Sequence, residues 1–265
     1  MHNDCTRVRV AIDVPCPPVP ILNMNPELHI GHARTLLVGS LIAEELGLPF
    51  HIRLDGAHND PFSHDVQIMA PLCVIISQLG IKCDDVYWQP REMPKGITFT
   101  KHFGDRAAEI ERFMSVTADY GIARIGVVVD DLMNHYPSLV VRGAEFVDPS
   151  MSVGTEANGA NTTMRYAAHQ ALMSDMMERE WHEINLPLIT MRDDKVSKSL
   201  SPILLWSFFQ RFPGAWLRAF LLATVMDPTA PLKALKRKFS IDAISTQHYE
   251  WDWAVWDQYI RDCEA

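Results

Sequence analysis

The sequence predicts an α/β fold, a parallel sheet followed by a small helical domain. Three observations carry this. Period-2 apolar segments alternate with segments of helical period, the helical segments are long enough to serve as crossovers, and the strand pattern stops near Ser201. We therefore divide the chain into a sheet-bearing domain over 1–200 and a helical domain over 201–265.

Arg7 to Val14 (RVRVAIDV) sets Val8, Val10, Ile12 and Val14 in one phase, the pattern of a strand. PCPPVPILNMNP then holds five prolines in twelve residues and reads as an extended loop leaving the strand end. From Gly31 to Leu46 the residues Leu36, Leu37, Leu41, Ile42 and Leu46 recur at helical spacing, and Gly47 suits the residue after a last turn. FHIRLD, Phe50 to Asp55, is a second strand. An apolar helix follows from about Val66 to Leu79, ending at Gly80.

Thr100 to Tyr120 is a more polar helical stretch. IGVVVDD (Ile125 to Asp131) and SLVVRG (Ser138 to Gly143) read as buried strands, Thr162 to Met177 as a helix, and INLPLIT as one further strand. Beyond Ser201 we expect only helices. Five of the seven tryptophans lie in the last sixty residues, and core packing is their expected role.

Composition excludes several classes. The chain has 265 residues, 48% of them hydrophobic and 22% charged, with no low-complexity tract or repeat. No apolar run reaches the roughly 18 residues of a membrane span, and the first ten residues lack an apolar leader core, so we expect a cytoplasmic protein with no membrane partner. Five cysteines without a CxxC pair give neither a disulfide framework nor a thiolate zinc site, and no metal ligands are assigned. A net charge of −9 speaks against a broad nucleic-acid surface; Lys233, Lys236, Arg237 and Lys238 form the one basic cluster.

Two stretches carry chemistry. In PELHIGHARTLL, His29 and His32 flank Gly31 at a helix start. Backbone N–H groups there attract phosphate, glycine admits close approach, and imidazoles can donate to phosphate oxygens. His-x-Gly-His alone arises by chance in about one chain of this length in a hundred, so the motif needs support. DDKVSKSLSP supplies it, offering Lys195, Ser197, Lys198 and Ser199 in a polar loop suited to stabilising a developing pyrophosphate.

HIGH after the first strand and KVSKS after the last strand resemble the paired signatures of class I aminoacyl-tRNA synthetases. LHIGHART, RLD, SQLGIKCDDVYWQPRE, VVVDDLM, VVRGAEF, LPLI and FSIDAISTQHYEWDW follow one another as in the catalytic core of glutamyl-tRNA synthetases, over roughly residues 7 to 257. The resemblance implies a Rossmann-like sheet and an AMP-forming ligase using ATP and Mg²⁺. It implies that His29 and His32 contact ATP phosphates with Gly31, Ser197 and Ser199 nearby. Lys195 and Lys198 would neutralise pyrophosphate, the backbone at Leu188 and Ile189 would receive adenine, and Asp55, Arg142, Pro15 and Cys16 would line the amino-acid site.

Four departures reshape that expectation. Ile12 stands where the family has an arginine that holds the glutamate carboxylate, and a carboxylate left unpaired in a buried pocket costs several kcal/mol. Ala123 and Val127 replace a tyrosine and an asparagine, leaving a more apolar pocket. The loop over 18–27 is longer, either a surface elaboration or a wall of that pocket. The segment over 93–126 is a single helix-sized piece where the family inserts a domain for the tRNA acceptor end, and Ala265 ends the chain before an anticodon-binding domain.

The expected function is thus activation of an amino acid other than glutamate, with transfer to a small non-tRNA acceptor. Two rivals stay open. One is transfer to tRNA or a modified tRNA nucleoside, using the Lys233–Lys238 cluster; the other is a non-catalytic paralogue that binds a partner. Other HxGH nucleotidylyltransferases are disfavoured because their likeness would stop at the motif, and metal hydrolysis because His29 and His32 are too close for an HExxH pair. The sequence leaves the oligomeric state open.

Overall fold

The computed structural model describes residues 5–13, 28–55, 61–88, 138–143, 183–192, 194–196, 204–229 and 238–265. The main sheet has five strands, β1 (Arg7–Asp13), β2 (Phe50–Asp55), β3 (Asp85–Trp88), β4 (Ser138–Gly143) and β5 (Glu183–Leu186), in the order β3-β2-β1-β4-β5. Every neighbouring pair is parallel. Central β1 pairs Ile12 with Leu54 and Asp13 with Asp55 on one side, and Val10 with Val141 on the other.

Helix α1 (Ile30–Leu46) follows β1 and is buried over much of its circumference, Leu36, Leu37, Val38 and Ile42 being fully enclosed. It reaches the sheet at Gly39, where an added Cβ would lie 2.5 Å from Val10 Cγ2 and 2.9 Å from Phe50 Cε2. Gly47 takes the left-handed conformation, φ 66°, and closes the helix with its N–H on Ala43 and Glu44. Helix α2 (Pro61–Gln78) begins a turn earlier than apolar spacing indicates. Pro61 at the first helical position suits a helix start, whereas the polar turn behind it carries no periodic signal.

Helices α3 (Leu205–Phe209), α4 (Gly214–Met226) and α5 (Trp253–Glu264) follow. Helix α4 packs on α1. Phe220 is fully buried among Trp251, Trp256 and Tyr259, with ring centroids 5.0–5.3 Å away. Trp251 and Trp256 are therefore core, while Trp253 is 46% exposed. One apolar cluster runs from Val8 in β1 to Ile260 in α5, so the described residues on both sides of Ser201 share a core.

Two sequence expectations need correction. INLPLIT is not one strand. The chain leaves the main sheet after Leu186, and β6 (Ile189–Met191) joins a second sheet of order β7-β6-β8. Pro187 lacks the N–H a continuous ladder needs, so a break there follows from its chemistry. Nor is the region beyond Ser201 wholly helical, because β8 (Tyr249–Glu250) pairs parallel with β6; on the other side of β6, β7 (Asp194–Lys195) pairs antiparallel with it. Strand β3 also escaped the sequence reading, being only four residues long.

The expected helices over 100–120 and 162–177 and the strand over 125–131 lie outside the described residues, as do the 18–27 loop and the 93–126 segment. Among the described residues no helix is long and apolar enough to cross a membrane.

Candidate active site

Strand order decides where a ligand would bind. In an open parallel sheet the connections run to opposite sides at a switch point, here between β1 and β4, and the crevice opens beyond the carboxyl ends of those strands. The chain leaving β1 at Asp13 returns at Leu28 and enters α1 there. The helix start carrying the two histidines therefore stands at the switch-point end of the sheet.

His29 is the N-cap of α1, with φ −102° and ψ 172°. Its Nδ1 accepts from the Gly31 N–H at 3.0 Å, while its own N–H donates to His32 Nδ1 at 3.3 Å. This is a capping box built from two imidazoles, their ring centroids 4.0 Å apart. A neutral imidazole that accepts at Nδ1 carries its proton on Nε2. Both rings thus keep a donor nitrogen beside a helix end whose dipole favours anions.

Gly31 is needed for space rather than for backbone freedom. A Cβ there would sit 2.7 Å from His29 Cε1 and 2.9 Å from His29 Nδ1, displacing the ring that caps the helix. The Thr35 hydroxyl donates to the Gly31 carbonyl at 3.0 Å and closes the same turn from the other side.

Backbone bonds hold the chain on either side of residues 197–203. Lys195 ends β7, and the Val196 N–H donates to the Ile189 carbonyl at 3.0 Å. After residues 197–203, Leu204 forms an antiparallel bridge with His29, and the Leu205 N–H donates to the Leu28 carbonyl at 3.0 Å. The two motifs lie 166 residues apart in sequence, from His29 to Lys195, and Leu204, five residues beyond Ser199, is held against the start of the first.

Leu188 is the link between the two sheets. Its N–H donates to His248 Nδ1 at 3.0 Å, and its carbonyl accepts from the Tyr249 N–H at 2.9 Å. Ile189, next to it, is buried in β6. The adjacent Pro187 carbonyl accepts from Arg34 Nη2. Arg34 is 2% exposed, and its Nε and Nη1 find no acceptor among the described residues. Burial pushes its pKa down to about 9, since a guanidinium taken out of water is unfavourable. One turn into α1, Arg34 thus fixes the helix start to the end of β5.

Ile12, Asp55 and Arg142 occupy register positions at the carboxyl halves of β1, β2 and β4, Arg142 opposite Asn185 of β5. Pro15, Cys16, Ala123, Val127, Ser197, Lys198 and Ser199 lie outside the described residues, as do Lys233, Lys236 and Arg237. Four contributors went unnoticed in the sequence. Leu204 and His248 carry no local signal, Arg34 is a charge inside an apolar helical run, and Glu250 is an acid enclosed by aromatics in HYEWDW. The last two could have been found by that contrast.

No family model and no curated protein sequence matches this chain. Among solved structures it is similar to a glutamate tRNA ligase from Elizabethkingia meningosepticum in complex with its amino acid. That match has a TM-score of 0.51 and 12% identity, covering 96% of this chain and 70% of that one. It also matches a putative arginyl tRNA synthetase from Campylobacter jejuni with a TM-score of 0.40 and 13% identity, covering 95% and 68%. At such identity the first of these speaks to architecture alone: the chain has a synthetase-like α/β fold.

Proposed function

We propose that this protein is a synthetase-like ligase that activates an amino acid other than glutamate with ATP and transfers it to a small, non-tRNA acceptor. The observation that supports the reading is the bridge between His29 and Leu204, five residues beyond Ser199, at the histidine-capped start of α1.

In this reading a carboxylate oxygen of the amino acid attacks the α-phosphorus of ATP, the bond to the bridging oxygen breaks, and pyrophosphate leaves. His29 and His32 donate from Nε2 to phosphate oxygens, with the α1 dipole behind them. Lys195 and Lys198 neutralise the departing pyrophosphate as point charges, with Ser197 and Ser199 in the same loop. ATP would enter as its Mg²⁺ complex; the chain's own part is positioning and charge neutralisation. The acceptor nucleophile then attacks the activated carbonyl and AMP leaves.

Adenine would lie along the Leu188–Ile189 link. Since both backbone polar groups of Leu188 are already bonded within the chain, the base would have to displace His248 to use that N–H. Ile12, Ala123 and Val127 favour a neutral side chain in the amino-acid pocket, and Asp55 and Arg142 would hold the amino acid's charged groups. The single helix-sized segment over 93–126 supports a small acceptor, since a tRNA acceptor end needs a larger grip.

Exchange of labelled pyrophosphate into ATP across a panel of amino acids tests the first step. We expect one or a few neutral amino acids to support exchange, glutamate to support little, and Lys198→Ala to abolish it in a folded protein. Exchange with no amino acid, with and without added amines or total tRNA, would remove the ligase reading. Transfer of labelled aminoacyl groups to tRNA rather than amines would move the acceptor to nucleic acid.

A further inference from the structure

The lysine segment is reached through a tight hairpin. Thr190 pairs with Lys195 and Met191 with Asp194, so the chain reverses within two residues. Two-residue hairpin turns place their first loop residue at positive φ, a conformation that suits glycine, asparagine or aspartate. Here that residue is Arg192, at φ 56°, the one non-glycine residue with positive φ among those described. An arginine has no intrinsic reason to stay there.

The C-terminal region supplies one. Strand β8 lies beside β6, pairing Ile189 with Tyr249 and Thr190 with Glu250. The Glu250 carboxylate accepts from the Arg192 N–H through Oε1 and from the Thr190 hydroxyl through Oε2. One carboxylate thus grips both the turn residue and the strand entering it. The Trp251 N–H donates to the Thr190 carbonyl at 2.7 Å, and Trp251 itself is buried against Phe220, so Glu250 is anchored from behind by the aromatic core.

We infer that Glu250 is a positioning residue for Lys195: its carboxylate holds the Arg192 turn in its left-handed conformation and so fixes where the Lys195 backbone emerges. This rests on the ligase reading for its effect on rate, although its effect on the hairpin does not. The inference joins the C-terminal region to the chemistry, because an acid 55 residues beyond Lys195 sets that lysine's backbone.

The test uses the full chain with Glu250→Ala, Glu250→Gln, Arg192→Gly and Glu250→Ala/Arg192→Gly. Two quantities are read: pyrophosphate exchange, and hydrogen exchange of the Val196 amide, whose bond to the Ile189 carbonyl reports hairpin closure. Glu250→Ala should lower the exchange kcat at least about tenfold with the amino-acid KM unchanged, as misplacement of a catalytic group does. It should also speed Val196 hydrogen exchange. Glu250→Gln keeps one acceptor oxygen and should fall between Glu250→Ala and the unmodified protein.

Arg192→Gly alone should leave both quantities unaltered. In the double variant it should restore both toward the unmodified values, because glycine takes φ 56° unaided. A Glu250→Ala protein that exchanges pyrophosphate at the unmodified rate, or a double variant no better than Glu250→Ala alone, would overturn the inference. If the unmodified chain exchanges no pyrophosphate at all, the ligase reading fails, and Val196 hydrogen exchange still decides whether Glu250 holds the hairpin. Should Glu250→Ala not fold, the comparison of Glu250→Gln with Glu250→Gln/Arg192→Gly replaces it with the same expected ordering.

Discussion

His29 has two roles that substitution can separate. As N-cap it accepts the Gly31 N–H at 3.0 Å through Nδ1, and as a proposed phosphate ligand it donates through Nε2. His29→Ala removes both. Loss of an N-cap acceptor costs about 1 kcal/mol, which in a chain of this size lowers Tm by roughly 2–4 °C. Loss of a donor to the charge developing on phosphate costs about 10²–10³ in rate. His29→Asn divides the two, since asparagine is a strong N-cap whose side-chain oxygen accepts from the first turn but which leaves no imidazole donor. The asparagine variant should therefore melt within about 1 °C of the unmodified protein and still lose on the order of a hundredfold in pyrophosphate exchange. Thermal unfolding and exchange kinetics on the three proteins provide the comparison. An asparagine variant with unmodified exchange would reduce His29 to a cap and refute its chemical role; an alanine variant with unmodified Tm would refute the capping argument.

Two further outcomes follow from the same geometry. Gly39→Ala inserts a Cβ 2.5 Å from Val10 Cγ2 where α1 meets the sheet, and such overpacking should cost about 1–3 kcal/mol in chemical denaturation with an unchanged m-value. His51 has its pKa lowered by burial and, second, by the charge of Arg7, with Asp85 and Asp84 opposing. The unfolded chain therefore binds its proton more readily, and stability should fall as pH drops below the ordinary histidine value of about 6.5 and stop falling once the folded-state value is passed. His51→Gln should flatten that part of the profile, and an unaltered slope in urea titrations between pH 7 and 5 would refute the assignment.

The α/β class, β1, α1, β2 and β4 were legible in sequence because each rests on local pattern, as do the motifs on which the proposed chemistry is built. Val8 and Val10 alternate in phase, Leu36 and Leu37 recur on a helix, and HIGH and KVSKS are short motifs. Strand β3 was not legible, since four residues carry too little periodicity. The break at Pro187 was signalled by the proline yet masked by the apolar run around it. β8 was invisible because a two-residue strand exists only through its partner, the hydrogen bonds it makes being to Leu188 and Thr190 some sixty residues earlier.

By itself the sequence determined the periodic segments of β1, α1 and β2 and the two short motifs that we propose bind phosphate. Periodicity and residue chemistry act over a few neighbours, so they reach that far. Only the tertiary structure decided that His29 meets Leu204, that Arg34 is buried on the Pro187 carbonyl, and that Glu250 grips the Arg192 turn. Those contacts join residues 58 to 175 positions apart, and what brings them together is the burial of one apolar core between sheet and helices, which no local pattern records.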